Sequence, residues 1–194
     1  PVSGGALTIN GTGGTLNLGS GSIHSLSGIV TLSNGILNGG SSRLNVNATS
    51  ATAWNGTGTN FIAGTGTVNF GGAAQTLATA SIFNNLIFSN SGIKTLNGIP
   101  TINGVLSMEG TATVSAVPSY GSAATLQYNR NVSQVTGLEW RTPFTGTGGV
   151  TVINTGIITV NGIKTFGASS PLTIAGGATL DNGGFAISGG LTLN

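Results

Sequence analysis

One seven-residue unit recurs along this chain, and its recurrence limits the available folds more than any other feature. The unit reads Gly-Ile-x-Thr-apolar-Asn-Gly. It stands in tandem as GIKTLNG at 92–98 and GIPTING at 98–104, and again as GIITVNG at 156–162 followed by GIKTFG at 162–167. A looser copy with one inserted residue, GIVTLSNG, occupies 28–35. The tandem pairs lie about 64 residues apart, the mark of one structural unit laid down several times. The flanks repeat as well. Gly-Thr-Gly opens alternating runs at 11–18, 64–70 and 146–153, and Leu7-Thr8-Ile9-Asn10 is echoed by Leu191-Thr192-Leu193-Asn194.

The units read as strands. Leu16-Asn17-Leu18, Leu44-Asn45-Val46, Val68-Asn69-Phe70 and Leu172-Thr173-Ile174 alternate apolar with polar, the period-2 pattern of a half-buried strand. Asn-Gly and Gly-Gly pairs bound them and supply the positive φ that tight corners require. With Gly at 35 of 194 positions, no stretch is left for a helix of three turns. The expected class is all-β, with essentially no α-helix.

Two architectures satisfy that pattern: antiparallel hairpins closed into a sandwich or barrel, or coils stacked into a parallel β-solenoid. Segments of about three to five residues are short for a sandwich and suit a solenoid face. The sequence therefore predicts a β-solenoid (β-helix) with coils of roughly 20 residues, about three coils to each 64-residue interval. A single coil buries too few apolar side chains to offset the entropy of ordering it, so its neighbours must supply the rest. Residues 1–194 read as one repeat solenoid, with a looser, loop-containing region at 116–144. The chain closes in mid-pattern at 191–194, which leads us to expect continuation into a longer chain or self-association into a filament.

Composition removes several functions. Charged residues are only 4% of the chain, against roughly a quarter in ordinary soluble domains. Arg43, Lys94, Arg130, Arg141 and Lys164 are scattered, so no basic patch is expected to take nucleic acid. No apolar run reaches the ~20 residues of a membrane span. Cysteine is absent. The only acids are Glu109, Glu139 and Asp181 and the only histidine is His24, too few for a glycosidase pair or a lyase groove. His24, between Ile23 and Ser25, is expected to face solvent on a strand. We expect no enzyme, no cofactor and no metal. The repeated Asp of calcium-binding solenoids is also missing.

Some residues remain as candidates. Tyr128, Trp140, Arg141 and Phe144 are a candidate glycan-contact patch if exposed, set against the expectation that such rings cap coils or pack beneath loops. Glu139-Trp140-Arg141 is the one dense polar and aromatic spot. Glu139 and Arg141 would fix a loop there through an ion pair. Asn97, Asn103 and Asn161 occupy the same corner of the repeat and are expected to form a structural asparagine ladder. Thr-x-Thr pairs at Thr57/Thr59, Thr65/Thr67, Thr111/Thr113 and Thr145/Thr147 raise ice binding, but their spacings share no coil period.

The blocks GTGTVNFGGAAQTLATASIFNNLIFSNSGIKTLNG at 64–98 and ATLQYNRNVSQVTGLEW at 124–140 resemble the Gly/Thr/Asn-rich repeats of large secreted surface proteins of Bacteroidetes-type bacteria. Autotransporter and filamentous-haemagglutinin passengers are similar at a greater distance. The resemblance lies in rhythm and composition and carries no functional residue across. It implies type IX export, an extracellular or cell-surface location, and a structural or adhesive role as fibre or stalk. Its implied partners are further repeats, and glycans or neighbouring cell surfaces.

Overall fold

The computed structural model of the chain describes residues 1–49 and 52–189. Over these residues the protein is all-β, without a helix, and winds as a parallel β-solenoid of about 8 turns. No helix among them is long and apolar enough to cross a membrane. The closing echo at 191–194 lies outside the described residues.

One nine-stranded sheet runs the length of the solenoid. Its strands are Ser3–Gly4, Ser20–Leu26, Ser41–Val46, Thr67–Phe70, Asn85–Phe88, Val105–Glu109, Thr125–Asn129, Gly149–Val152 and Leu172–Ile174. Every pairing in it is parallel. Parallel neighbours need a crossover, and here the crossover is the rest of the coil. Coil length varies: Leu44 pairs with His24, 20 residues back, and with Val68, 24 on, while Val68 pairs with Leu86, 18 on. These values bracket the expected twenty, and the parallel register removes the antiparallel alternative.

A second side carries Leu7–Ile9, Val30–Leu32, Thr52–Gly56, Gln75–Leu77, Ile93–Leu96 and Thr113–Val114. The third side is built from two three-stranded sheets, one running from Thr15–Asn17 to Phe61–Ile62 and the next from Ile82–Phe83 to Ser119–Tyr120. The tandem repeat now has a physical meaning. Its first copy makes the second-side strand Ile93–Leu96 and its second copy makes the third-side strand Thr101–Ile102. The two copies are adjoining sides of one coil, not successive coils. The copy at 156–162 lies three coils on, since three strands of the long sheet intervene.

Inward side chains stack in columns. Along the long sheet Val46 pairs with Phe70, Phe70 with Phe88, Phe88 with Met108, and Met108 with Tyr128. All five are buried. Where the coil is wide, aromatic rings fill it: Trp54 is fully buried, 5.0 Å from the Phe61 ring and 5.5 Å from that of Phe83. Its indole N–H donates to Ser81 Oγ at 2.9 Å.

Corners need backbone that other residues cannot supply. Gly40 has φ 58°, and a Cβ on it would stand 1.9 Å from the Gly19 carbonyl oxygen; Gly64, φ 59°, stacks in the same way on Gly40. Glycine there permits both the left-handed conformation and the close approach of successive coils. Around 116–144 the sides behave differently. The second- and third-side sheets stop at Val114 and Tyr120, and a new three-stranded sheet starts with Gln134–Val135. The long sheet crosses this region unbroken, with Thr125–Asn129 paired on both edges.

Candidate functional site

The outer side of the long sheet is built from the residues that alternate with its inward columns. Ser25, Asn45 and Asn69 stand in register on consecutive strands. Asn69 Nδ2 donates to Asn45 Oδ1 at 3.2 Å, Asn45 Nδ2 donates to Ser25 Oγ at 3.2 Å, and Ser89 Oγ donates to Asn69 Oδ1 at 2.8 Å. Arg43 Nε also donates to Asn45 Oδ1, at 2.9 Å. Farther along the sheet, Glu109 Oε1 accepts from Ser107 Oγ at 3.0 Å and Asn129 Nδ2 at 3.3 Å, and Asn154 Nδ2 donates to Asn129 Oδ1 at 3.0 Å.

Between these two runs the surface dips. An open depression of about 290 Å³ is lined by Thr67, Ile87, Val105, Ser107, Glu109 and Gln127 among others, and it spans four adjacent strands. Ile87, Ser107 and Gln127 form one row of register partners across it.

The aromatic rings of the candidate patch lie inside the coils, not on the surface. Tyr128, Trp140 and Phe144 are all buried. Tyr128 belongs to an inward column, between Met108 and Val152. The Trp140 ring lies 5.9 Å from those of Tyr128 and Phe166, and the Phe144 ring 5.0 Å from that of Tyr120. A coil without regular strands on all its sides still needs its interior filled, and these rings fill it. Of the four residues only Arg141 is exposed.

The expected ion pair between Glu139 and Arg141 is also replaced. Glu139 is buried, and its Oε1 accepts from the Tyr128 hydroxyl at 2.9 Å and the Gly137 N–H at 2.8 Å. The Tyr120 hydroxyl donates to the Glu139 carbonyl at 2.7 Å. No ion pair to Arg141 forms among the described residues. Burial and then the Glu139 charge push both tyrosine hydroxyls well above their usual range.

Asn97, Asn103 and Asn161 do not form a ladder. Asn97 and Asn103 close different sides of one coil, so they cannot stack, and all three are exposed. Asn161 Oδ1 accepts instead from Thr136 Oγ1 at 3.0 Å and Lys164 Nζ at 2.8 Å. The hydrogen-bonded amides are Asn45 with Asn69, and Asn129 with Asn154. His24 is likewise inward, not solvent-facing, because it shares a column with Leu44. Its Nδ1 accepts from the Val2 N–H at 2.7 Å, leaving Nε2 to donate to the Leu18 carbonyl at 3.0 Å.

Sequence reasoning missed the inward cations. In Gly-Ile-x-Thr the Ile points out and the x position points in, so Lys94 and Lys164 are buried while Ile93 and Ile163 are exposed. The Thr in the unit gives the signal, since Thr95 and Thr165 alternate with buried neighbours on both sides. Lys94 Nζ donates to the carbonyls of Gly72 and Ala73 and to Gln75 Oε1. Burial lowers its pKa to about 8. Lys164 Nζ donates to the Trp140 carbonyl at 3.3 Å and lies 5.5 Å from the Trp140 ring centroid. Burial lowers its pKa too, with Glu139 opposing. Arg130 donates to the carbonyls of Gly110 and Ala112 at 2.7 Å. Three of the five cations thus serve as internal clips from one coil to the one before it.

The acids are dispersed: Glu109 on the outer long face, Glu139 in the core, and exposed Asp181 at the end of the Thr179–Asp181 strand. Among the described residues no group of three or more His, Asp or Glu could hold a metal ion. The Thr-x-Thr pairs fall at corners and strand starts, and Thr57 bonds to Thr59 at 2.8 Å. Thr8 and Thr31 are register partners on the second side, as are Thr76 and Thr95, but Thr31 faces Asn55, which interrupts the column. Comparison with family models, curated proteins and solved structures gives no match for this chain.

Proposed function

We propose that this chain is a structural or adhesive segment of a secreted bacterial surface protein, acting without catalysis as part of an extracellular stalk or fibre. The observation that carries the reading is the unbroken nine-stranded parallel sheet, whose outer side chains bond from coil to coil. Eight strand spacings of about 4.8 Å make a rod section near 38 Å long. Such a section transmits load along its axis and holds whatever it carries away from a surface. A sparse, mostly uncharged exterior supports the same reading, because three of the five cations and one of the three acids are buried. The resemblance of 64–98 and 124–140 to Bacteroidetes-type surface repeats supports secretion.

Antibodies raised against the purified chain provide the test, applied to intact and lysed cells of the source bacterium. Gold label on fibres or the envelope of intact cells is the expected result. Label that appears only after lysis would overturn the surface assignment. Sedimentation over a range of concentrations tests self-association: a mass that rises with concentration supports assembly into fibres, and one that stays at 19.0 kDa counts against it.

A further inference from the structure

We propose that the depression on the outer long face is a binding site for a neutral polysaccharide lying along the solenoid axis. The inference goes beyond the stalk reading and is tested separately from it.

The lining mixes two chemistries. Ile87 and Val105 contribute apolar surface, and Thr67, Ser107, Glu109 and Gln127 contribute hydrogen-bonding groups. Their free valences point to a ligand with hydroxyls. Glu109 uses only Oε1 for Ser107 and Asn129, and its Oε2 has no protein partner among the described residues. The Gln127 amide lies 3.4 Å from Ser107 Oγ, whose single proton goes to Glu109, so at least one amide N–H of Gln127 has no protein partner there. Thr67 Oγ1 has none either. A carboxylate oxygen accepts, an amide N–H donates, and a hydroxyl does both, which is the set a sugar diol needs. Because Oε1 is already held, Glu109 does not have to be ordered when a ligand arrives, and that lowers the entropic cost of binding.

Three other ligand classes fit less well. A polyanion needs cations, and on the outer side of the long sheet the only cationic side chain among the described strands is Arg43, which is tied to Asn45. An extended peptide that binds by strand addition needs an unpaired edge, but the four strands beneath the depression are paired on both sides. A compact apolar ligand needs enclosure, and this surface is open. A glycan needs none of these. Four strands span three spacings, about 14 Å, and a pyranose unit in an extended chain advances by a length comparable to one spacing. Roughly three sugar units would therefore lie across the depression. Their C–H faces would rest on Ile87 and Val105, and their hydroxyls would reach Glu109 and Gln127.

The test is affinity electrophoresis of the intact chain in gels containing hydroxyethylcellulose, galactomannan, laminarin or dextran, followed by calorimetry with the polysaccharide that retards it. Gln127→Ala and Glu109→Ala are compared with Thr76→Ala, a change on the second side. Retardation by at least one of these glycans is expected, weakened at least fivefold by each of the first two substitutions and unchanged by the third. Melting curves establish that all three variants remain folded. Failure of all four polysaccharides to retard the wild type would overturn the proposal. So would retardation that Gln127→Ala and Glu109→Ala leave intact while the variants stay folded. Surface labelling of cells has no bearing on either outcome, so this site and the stalk assignment can fail independently.

Discussion

Asn69 stands in register on Asn45, one coil apart, with its Nδ2 3.2 Å from the Asn45 Oδ1. Twenty-four residues of chain separate them. Asn45 also accepts from Arg43 and donates to Ser25, so one amide ties together two neighbouring strands and its own. Replacing Asn45 with Ala leaves several groups without partners and should cost about 1–3 kcal/mol. Chemical denaturation of the single and double variants with Asn69→Ala measures the coupling, expected at ~0.5 kcal/mol or more. Additive effects would show that the amide pair contributes nothing beyond its separate parts.

Gly40→Ala should be far more damaging than its size implies. The new Cβ would fall 1.9 Å from a backbone oxygen of Gly19, at a φ of 58° that alanine resists. A loss of at least ~2 kcal/mol is expected. Gly162 is the comparison, since a Cβ there meets nothing within 4 Å. Gly162→Ala should stay within about 0.5 kcal/mol of wild type. Equal melting temperatures for the two variants would refute the stacked-corner account.

Stability should pass through a maximum in mild alkali. Lys94 has a folded pKa of about 8 against 10.5 when exposed, so between these values the unfolded chain binds more protons than the folded one. Stability therefore rises with pH across that window, by up to about 3 kcal/mol at ~1.36 kcal/mol per unit. Lys164, also lowered by burial, acts in the same direction. Tyr120 and Tyr128 act in the opposite one. Their folded pKa values are raised, so above about pH 10 the unfolded chain loses protons first and stability falls. Denaturation curves between pH 7 and 11 give the profile, and Lys94→Met should flatten its rising limb.

Trp140 offers a direct check on where the aromatic residues lie. Only 2% of it is exposed, packed between Tyr128 and Phe166. Both tryptophans should emit at short wavelength and resist quenching by iodide. Trp140→Ala should cost about 3–5 kcal/mol and leave binding at the Glu109–Gln127 depression unchanged in any fraction that remains folded. Strong quenching of Trp140 in a Trp54→Phe background would place the ring at the surface.

The sequence alone determined the kind of object this is. Period-2 alternation, segments of three to five residues, dense glycine and a tandem seven-residue unit exclude helix and call for thin coils that are stable only when stacked. The same pattern held the direction of Lys94 and Lys164, for the Thr that follows each lysine faces out. What it could not give was which residues meet across coils. Successive coils differ in length, with steps of 20, 24 and 18 residues around Leu44 and Val68. Partners are therefore set by parallel backbone register, not by a fixed spacing. That is why Asn45 meets Asn69 while Asn97, six residues from Asn103, lies on another side of the same coil. It is also why His24, flanked by polar and apolar neighbours alike, faces inward: parallel register sets it on Leu44 in an inward column. Local pattern decides which way a side chain points; stacking decides what it touches.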